Sequence, residues 1–512
     1  MKPSSGPTRR TVLKLGLGSI AMAAARARGA TTRQPNILFL MGDQHRGDCV
    51  SADGNKAIRT PSLDRIAREG VLFRCAYTSV PSCTPARAGL LTGLSPWHHG
   101  MIGYGRVADR YPNEKPRLLR EAGYQTLGIG KMHWAPQGNL HGFHKTLLDE
   151  SGRVESKGFM SDYRQWFREQ APGLNPDATG LGWNDYGSKP YALPERLHPT
   201  RWTGETALQF LQSYGRQEPF FLKVSFARPH SPYDPPERFF KLYEDADLPK
   251  AVVGKWAERH AERGKKLPSS TWQGDLGEAQ VRRSRQGYYG NVTFIDEEIG
   301  RLLDLLDKRR WLENTLILYA GDHGDMTGDH HLWRKTYAYE ASARIPMLLR
   351  WPGNFLDAKR GQVLRQPVEL RDILPTFLDA AGVAVEPKRF DGRSMLDLVR
   401  GKAEGWREWI DLEHDVCYAP ENHWTALTDG RWKYIFHAFN GEEQLFDLAS
   451  DPGELRDLAP EKEHEATLRL WRGRMTEHLS ERGAPFVVAG KLGVRPARFL
   501  YSPNYPRNAT KG

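Results

Sequence analysis

Cysteine is scarce in this chain: four residues among 512, at Cys49, Cys75, Cys83 and Cys417. That is too few for a disulfide-stapled scaffold, although one bridge stays open and spacing does not assign it. No pair stands at C-x-x-C spacing, so Cys83 has no close partner for thiolate metal binding. No apolar stretch is long enough for an ordinary membrane span, which excludes a spanning segment in the mature chain. Internal repeats are missing. A strong charge of one sign is missing too. The formal net charge is +11, but Lys2, Arg9, Arg10, Lys14, Arg26 and Arg28 supply six of it, with no acid among residues 1–30, leaving +5 for the rest. That mild balance favours anionic substrates slightly and does not mark a nucleic-acid binder.

What is present reads as a soluble globular protein, with 39% hydrophobic and 26% charged residues. A chain of this length predicts two domains, or one large domain with a smaller appendage. Residues 1–30 read as a targeting leader. "TRRTVLK" at 8–14 resembles the twin-arginine export motif, an apolar run follows from Leu15 to Ala25, and small residues at 27–30 suit cleavage. The expected partner is the twin-arginine export machinery, and the expected location is periplasmic or secreted.

The mature chain opens with "PNILFLMGDQ" at 35–44, a short apolar run that predicts a buried strand ending at Asp43. Further strands are predicted in "YQTLGIG" at 124–130, "PFFLKVSFARPH" at 219–230 and "NTLILYAGDHGD" at 314–325. Helical patterns intervene at 60–73, where Thr60 or Ser62 can cap, at 292–310 and at 368–382. This alternation predicts an α/β fold: a large, mostly parallel sheet sandwiched by helices, with ligands at the carboxyl ends of its strands. Residues 31–385 are expected to form this domain. Residues 386–485 read as a smaller α+β unit, with a hairpin turning at Asp429-Gly430 and a helix to about Arg482. Residues 486–512 read as an extended tail. The charged segment 238–285 reads as an excursion outside the sheet.

Polar clusters follow these strands. Asp43 and Gln44 place oxygens at a strand end, as a hard cation requires, or cap a turn. Asp322 and His323 in "GDHGDMTGDHH" suit a metal, while Asp325, Asp329, His330 and His331 read as solvated loop residues. Lys131 and His133 in "GKMHW" suit an oxyanion and a proton transfer, although the stretch by itself reads first as a surface lysine and a structural histidine. His230 lies between two prolines in "ARPHSPY". Lys335 in "LWRKTYAYE" suits an anion or plain exposure.

The order Asp-Gln, Cys-Thr-Pro-Ala-Arg, Gly-Lys-x-His, Pro-His, Asp-His, Lys resembles the sulfatases of the alkaline-phosphatase-like superfamily over nearly all of residues 35–460. "TPSLDRIAREGVLF", "YYGNVTFIDEEIGRLL", "IPMLLRWPG" and "LFDLASDPGE" join the match. Its most specific element is C-x-P-x-R at Cys83–Arg87, followed by "AGLLTG". The resemblance implies that a maturation enzyme oxidises Cys83 to formylglycine (3-oxoalanine) on the unfolded chain, before export. The aldehyde hydrate then offers one hydroxyl to attack sulfur and a second to expel sulfate by re-forming the aldehyde. By the same resemblance Asp43, Gln44, Asp322 and His323 would surround a divalent cation together with residue 83. Ca²⁺ is favoured by oxygen-rich ligation, with Mg²⁺ and Mn²⁺ open. Arg87 would steady the diol, Lys131 and Lys335 would clamp sulfate oxygens, His230 would protonate the leaving alkoxide, and His133 would assist the diol. Two positions depart from the commonest family form: Gln44 stands for a second Asp, and His323 for an Asn.

The implied function is therefore a sulfuric-ester hydrolase acting on a small anionic aryl or carbohydrate sulfate. Two alternatives stay open: a phosphonate monoester or phosphodiester hydrolase of the same superfamily, and a non-catalytic exported binding protein. Trp97, His98, His99 and the 238–285 excursion are candidates for the pocket that takes the alcohol half, or for packing and solvated surface.

Overall fold

The computed structural model describes residues 34–154, 156–262, 267–386 and 388–506. The expected export leader and the last six residues of the tail lie outside them.

Strand β1, Asn36–Asp43, is buried over nearly its whole length. Its side chains alternate between two apolar layers, as a strand covered on both faces requires. Ile37, Phe39 and Met41 join one core with Leu316, Leu318, Leu374 and Phe377. Leu38 and Leu40 join the other with Ile66, Leu208, Ile299 and Leu302. Each such side chain, withdrawn from water, stabilises the fold by about 1.5–3 kcal/mol.

Seven more strands complete the main sheet: β2 (Val71–Phe73), β3 (Gln125–Gly130), β4 (Lys145–Leu148), β5 (Phe220–Pro229), β6 (Thr315–Gly321), β7 (Met347–Arg350) and β8 (Gln362–Leu364). Their order is β4-β3-β5-β1-β6-β7-β2-β8. The run β4-β3-β5-β1-β6 is parallel throughout. β7 is antiparallel to both β6 and β2. The sheet is therefore mixed and mostly parallel, with helices on both faces. Among the described residues, no helix is long and apolar enough to cross a membrane.

Helix α1 is Pro61–Arg68, α2 is Cys83–Thr92, and α3 is the long helix Glu278–Lys308. The α1 amino end is not closed by a side chain of Thr60 or Ser62. Asp296 of α3 closes it instead, accepting from the backbone N–H groups of Ser62 (2.9 Å) and Leu63 (2.8 Å). Helix α3 begins fourteen residues before the expected start at 292. Gly287 and Gly290 blur its apolar period. They are small because a Cβ at either would press on Ser188 or Pro235.

The carboxyl-terminal unit is an antiparallel sheet of β9 (Ile410–His414), β10 (Trp424–Thr428), β11 (Trp432–His437) and β12 (Glu443–Asp447), backed by helix α4, Glu465–Ser480. The hairpin turns at Asp429-Gly430, where Gly430 has φ +85°. The tail, described to residue 506, is not simply extended: Val487–Val488 pairs antiparallel with Lys491–Leu492, Tyr501 bridges to Met101, and Arg495 is buried. All four cysteines are unpaired.

Candidate active site

Four parallel strands bring their carboxyl ends to one edge. β1 ends with Asp43, β3 leads into Lys131, β5 into His230, and β6 into Asp322. Gly42 and Gly321 are in register, so Asp43 and Asp322 emerge side by side. Gly130 turns the chain with φ +89°, and any Cβ there would collide with the carbonyl oxygen of Ser225. That close approach aims Lys131 back toward Asp43. The turn after it is held by Glu150, which accepts from the backbone N–H groups of Met132 and His133 at 2.9 Å each.

Cys83 is the first residue of α2, so the positive end of the helix dipole faces the same edge. One ligand atom each from Asp43, Cys83, Asp322 and His323 lie within 4.8 Å of one another, and all four residues are buried. The Cys83 Sγ is 3.1 Å from His323 Nε2 and 3.7 Å from Asp43 Oδ1. His323 donates its Nδ1–H to the Gly324 carbonyl at 2.9 Å, which leaves the Nε2 lone pair turned toward the cluster. This is the tautomer a metal-binding imidazole needs. Two carboxylates, a bare imidazole nitrogen and the residue-83 side chain fit a divalent cation in donor type and burial.

Arg87, one turn along α2, lies beneath this cluster. Its Nε is 2.9 Å from Asp322 Oδ2 and its Nη2 is 3.1 Å from Asp43 Oδ2. Nη1 donates to the Lys131 carbonyl (2.6 Å) and to Ser225 Oγ (3.3 Å). Lys131 Nζ adds a 2.6 Å ion pair to Asp43 Oδ2. The cations thus occupy the outer carboxylate oxygens of Asp43 and Asp322. Burial alone would push the Asp43 carboxyl up, yet Lys131 and Arg87 hold it well below the usual carboxylate range. Burial and Asp43 push the Cys83 thiol up, but the Lys335 and Lys131 ammonium groups help bring it below its ordinary value.

His230 and Lys335 form a second pair beside the first. His230 donates Nδ1–H to the Ser231 carbonyl at 2.8 Å, so its Nε2 accepts from Lys335 Nζ at 2.7 Å. Burial, with Lys335 and Lys131 nearby, drives the His230 imidazole well below its usual value and keeps it neutral. Burial also lowers Lys335. Lys335 is held between Arg334 (φ +71°) and Thr336 (φ +83°), two non-glycine residues in left-handed backbone.

Gln44, expected beside the metal, is turned otherwise. Its Oε1 accepts from Lys335 Nζ at 2.8 Å, its Nε2 donates to Asp325, and Tyr233 OH donates to the same Asp325 oxygen at 2.5 Å. Its backbone N–H donates to Asp322 Oδ1. His133 packs edge-on against Tyr104, with its Nε2 3.5 Å from the Tyr104 hydroxyl. The expectation that Asp325, Asp329 and His330 are solvated is overturned: all three are buried in paired networks, because the 322–331 loop folds inward under the sheet edge. Trp97 packs edge-on against Phe486, and exposed His98 pairs with Asp391.

Several neighbours carry no mark in their own stretch of sequence. Ser225, Glu150, Tyr233 and Asp325 act as supports. His414 arrives from the carboxyl-terminal sheet, its Nε2 2.9 Å from the hydroxyl of Ser82, the residue before Cys83. Its signal is three-dimensional, since 332 residues separate the pair.

Comparison with known proteins adds a family. The family described as Sulfatase matches residues 35–383, and N-sulphoglucosamine sulphohydrolase, C-terminal, matches residues 328–481. An arylsulfatase of Clostridium perfringens is 39% identical over 472 residues, covering 90% of this chain and 97% of that protein. A choline-sulfatase of Rhizobium meliloti is 34% identical, covering 88% and 87%. Among solved structures, a phosphonate monoester hydrolase of Agrobacterium radiobacter superposes with a TM-score of 0.73 at 26% identity, over 88% of this chain and 95% of that one.

Proposed function

The chain belongs to the sulfatase family, and we propose that it hydrolyses an aryl or carbohydrate sulfate monoester at the Cys83 cluster. The observation that carries this reading is the meeting of Asp43, Cys83, Asp322 and His323 at the amino end of α2, inside a C-x-P-x-R run. Asp43, Asp322 and His323, with residue 83, would hold a divalent cation, Ca²⁺ by preference for oxygen donors, with Mg²⁺ or Mn²⁺ as alternatives. Such an ion supplies Lewis-acid polarisation of a sulfate oxygen and acidifies a hydroxyl nucleophile. Oxidation of Cys83 to formylglycine by a maturation enzyme supplies that hydroxyl, as the aldehyde hydrate.

The chain's own groups do the rest. Arg87 fixes both carboxylates through their outer oxygens, which orients the inner ones. Lys131 and Lys335 place ammonium groups where negative charge builds on the sulfate. His230 is neutral and accepts from Lys335, so the Lys335–His230 pair holds one proton between two nitrogens. That proton is placed to pass to the departing alkoxide. Buried, neutral His133 serves as a polar support beside Lys131 rather than as a charged group. Export by the twin-arginine route completes the reading, and the Arg9-Arg10 leader supports it.

A phosphonate monoester or phosphodiester hydrolase remains the second reading, favoured by the phosphonate monoester hydrolase neighbour. One experiment tests both. Protein made together with a formylglycine-generating enzyme is assayed on nitrophenyl sulfate and on a nitrophenyl phosphonate or phosphodiester, and the peptide spanning residues 75–87 is weighed. We expect the mass loss of thiol-to-aldehyde conversion, and a higher kcat/KM on the sulfate. Full turnover with an intact thiol overturns the mechanism. A reversed preference installs the second reading.

A further inference from the structure

Ser82 stands just before helix α2, where a serine normally turns its hydroxyl back onto the N–H of the second or third helical residue. The third residue here is Pro85, which has no N–H, and the Ser82 side chain makes no capping bond. Its carbonyl accepts from the Ala86 N–H at 3.1 Å, the first bond of the helix. Its hydroxyl turns instead to His414, 2.9 Å away and wholly buried at the end of β9. The other ring nitrogen sets the roles. Nδ1 faces the Asp415 carbonyl, which only accepts, so the ring proton sits there and Nε2 offers its lone pair to the Ser82 hydroxyl. Burial pushes the imidazole down to about 4, so it is neutral at neutral pH and keeps that acceptor.

His414 is the middle of a three-residue grip on α2. The Glu413 N–H donates to the Ser79 carbonyl at 2.8 Å, ahead of the helix, and the Asp415 N–H donates to the Ile102 carbonyl at 2.9 Å, beyond it. The strand end is anchored in turn, because Arg482 closes on both oxygens of Glu413 at 2.7 and 2.8 Å. The backbone bonds at 413 and 415 fix where the chain runs. The His414 side chain does something finer: it holds the side chain of the residue joined to Cys83. A bond at Ser82 limits rotation of the Ser82–Cys83 peptide, and that rotation aims residue 83 at Asp43, Asp322 and His323.

We infer that His414 is a positioning residue for the nucleophile: through Ser82 it holds the start of α2 so that the side chain at position 83 stays delivered to the carboxylate–histidine cluster. The carboxyl-terminal unit thereby sets turnover from outside the main sheet. The inference rests on the sulfatase reading. In this role His414 does not touch the sulfate, and Lys131 and Lys335 keep their places, so the effect falls on kcat rather than on KM.

The test uses full-length enzyme made together with a formylglycine-generating enzyme. His414→Ala, His414→Gln, Ser82→Ala and the double Ser82→Ala/His414→Ala are compared with wild type, each weighed over residues 75–87 and normalised to its aldehyde content. Conversion on the unfolded chain would precede any contact with His414, so His414→Ala should carry as much aldehyde as the wild type. Its kcat on nitrophenyl sulfate should fall about 10²-fold, the scale of a nucleophile misplaced by about 1 Å, with KM changed less than about threefold. Ser82→Ala removes one hydroxyl and leaves β9 docked, so it should show the same kcat loss with a melting temperature near that of wild type. The double variant should be no slower than His414→Ala, because both changes cut one bond. His414→Gln, whose amide oxygen can accept from Ser82, should recover part of the rate. Should His414→Ala not fold, Ser82→Ala and His414→Gln decide by the same criteria. A kcat within about threefold of wild type overturns the inference, as does a loss confined to KM or a double variant in which the two losses multiply. Turnover of a nitrophenyl phosphonate and of no sulfate fails the sulfatase reading alone, and the same variants are then compared on the phosphonate. An aldehyde-bearing wild type that turns over neither ester overturns both.

Discussion

Two arginine–carboxylate knots share one loop. In the first, Arg87 ties Asp43 to Asp322. In the second, Arg46 and Arg285 tie Asp48 and Asp329, seven residues further along the loop from Asp322. The chemistry is the same in both, yet the distribution of bonds differs. Asp329 Oδ1 takes Arg285 (2.6 Å) and the Val252 N–H (2.8 Å), and Oδ2 takes Arg46 (2.8 Å). Arg46 directs its Nη1 hydrogens to the carbonyls of Asp325 and Met326 and to Thr327 Oγ1. Both oxygens of Asp329 are filled. In the first knot the outer oxygens are saturated, but Asp43 Oδ1 has only Cys83 Sγ at 3.7 Å and His323 Nε2 at 3.9 Å beside it. A closed network of buried charge supports a fold; one left open on a single side is built to receive a charge.

The sharpest way to break this contrast is to remove one carboxylate charge. Asp322→Asn keeps an oxygen for the Gln44 and His323 N–H groups but loses the charge a cation needs. Turnover of nitrophenyl sulfate should fall by at least about 10³-fold, the scale of several kcal/mol of transition-state stabilisation. The melting temperature should fall as well, because buried Arg87 loses one of its two counter-charges, so the contrast with the second knot lies in turnover. A variant that keeps most of its activity would place the first knot in the same class as the second.

A smaller effect separates His230 from its role as loop packing. His230→Ala removes the acceptor for Lys335 Nζ, and with it the proposed path of the proton to the leaving group. General acids contribute roughly 10²–10⁴-fold, and an activated aryl leaving group needs little of that help. The loss on an alkyl or sugar sulfate should therefore exceed the loss on nitrophenyl sulfate by about 10²-fold. Equal losses on both, measured as kcat/KM, would mean that His230 only shapes the loop.

Much of the first knot was legible in sequence, because short-range order sets it up. A buried strand must end somewhere, and Asp43, Lys131, His230 and Asp322 each stand within a residue or so of such an end. Parallel pairing then carries those ends to one edge. Cys83 and Arg87 were legible through the C-x-P-x-R resemblance, and because i and i+4 share a helix face the two then reach one site. The second knot was not. Asp325, Asp329 and His330 sit among glycines in a polar run that reads as solvated loop, and the partners Arg46 and Arg285 are remote in sequence. Only the inward fold of the loop buries them. The amide of Gln44 was legible as polar and near the site, but its orientation depends on Lys335 and Asp325, which approach from far along the chain.

The second knot should show itself in stability and pH rather than in turnover. Burial would push the Asp329 carboxyl up, but Arg285 and Arg46 outweigh it and hold it below the usual carboxylate range. Between the folded value and the unfolded value of about 3.9, the unfolded chain binds more protons, so stability rises with pH across that window. Asp329 therefore contributes fully above about pH 4, and its contribution is lost as pH falls through the folded value. Asp329→Asn leaves Arg46 and Arg285 short of a buried counter-charge and should cost about 3–5 kcal/mol at pH 7. Its kcat/KM on nitrophenyl sulfate should stay within about threefold of wild type at about 25 °C. Thermal unfolding of both proteins from pH 7 to pH 3 checks the assignment. The gap between their melting temperatures should be widest at neutral pH and narrow steadily below about pH 4. A gap that stays constant to pH 3 would mean the Asp329 charge does not hold the loop. A loss of turnover matching that of Asp322→Asn would mean the two knots are one.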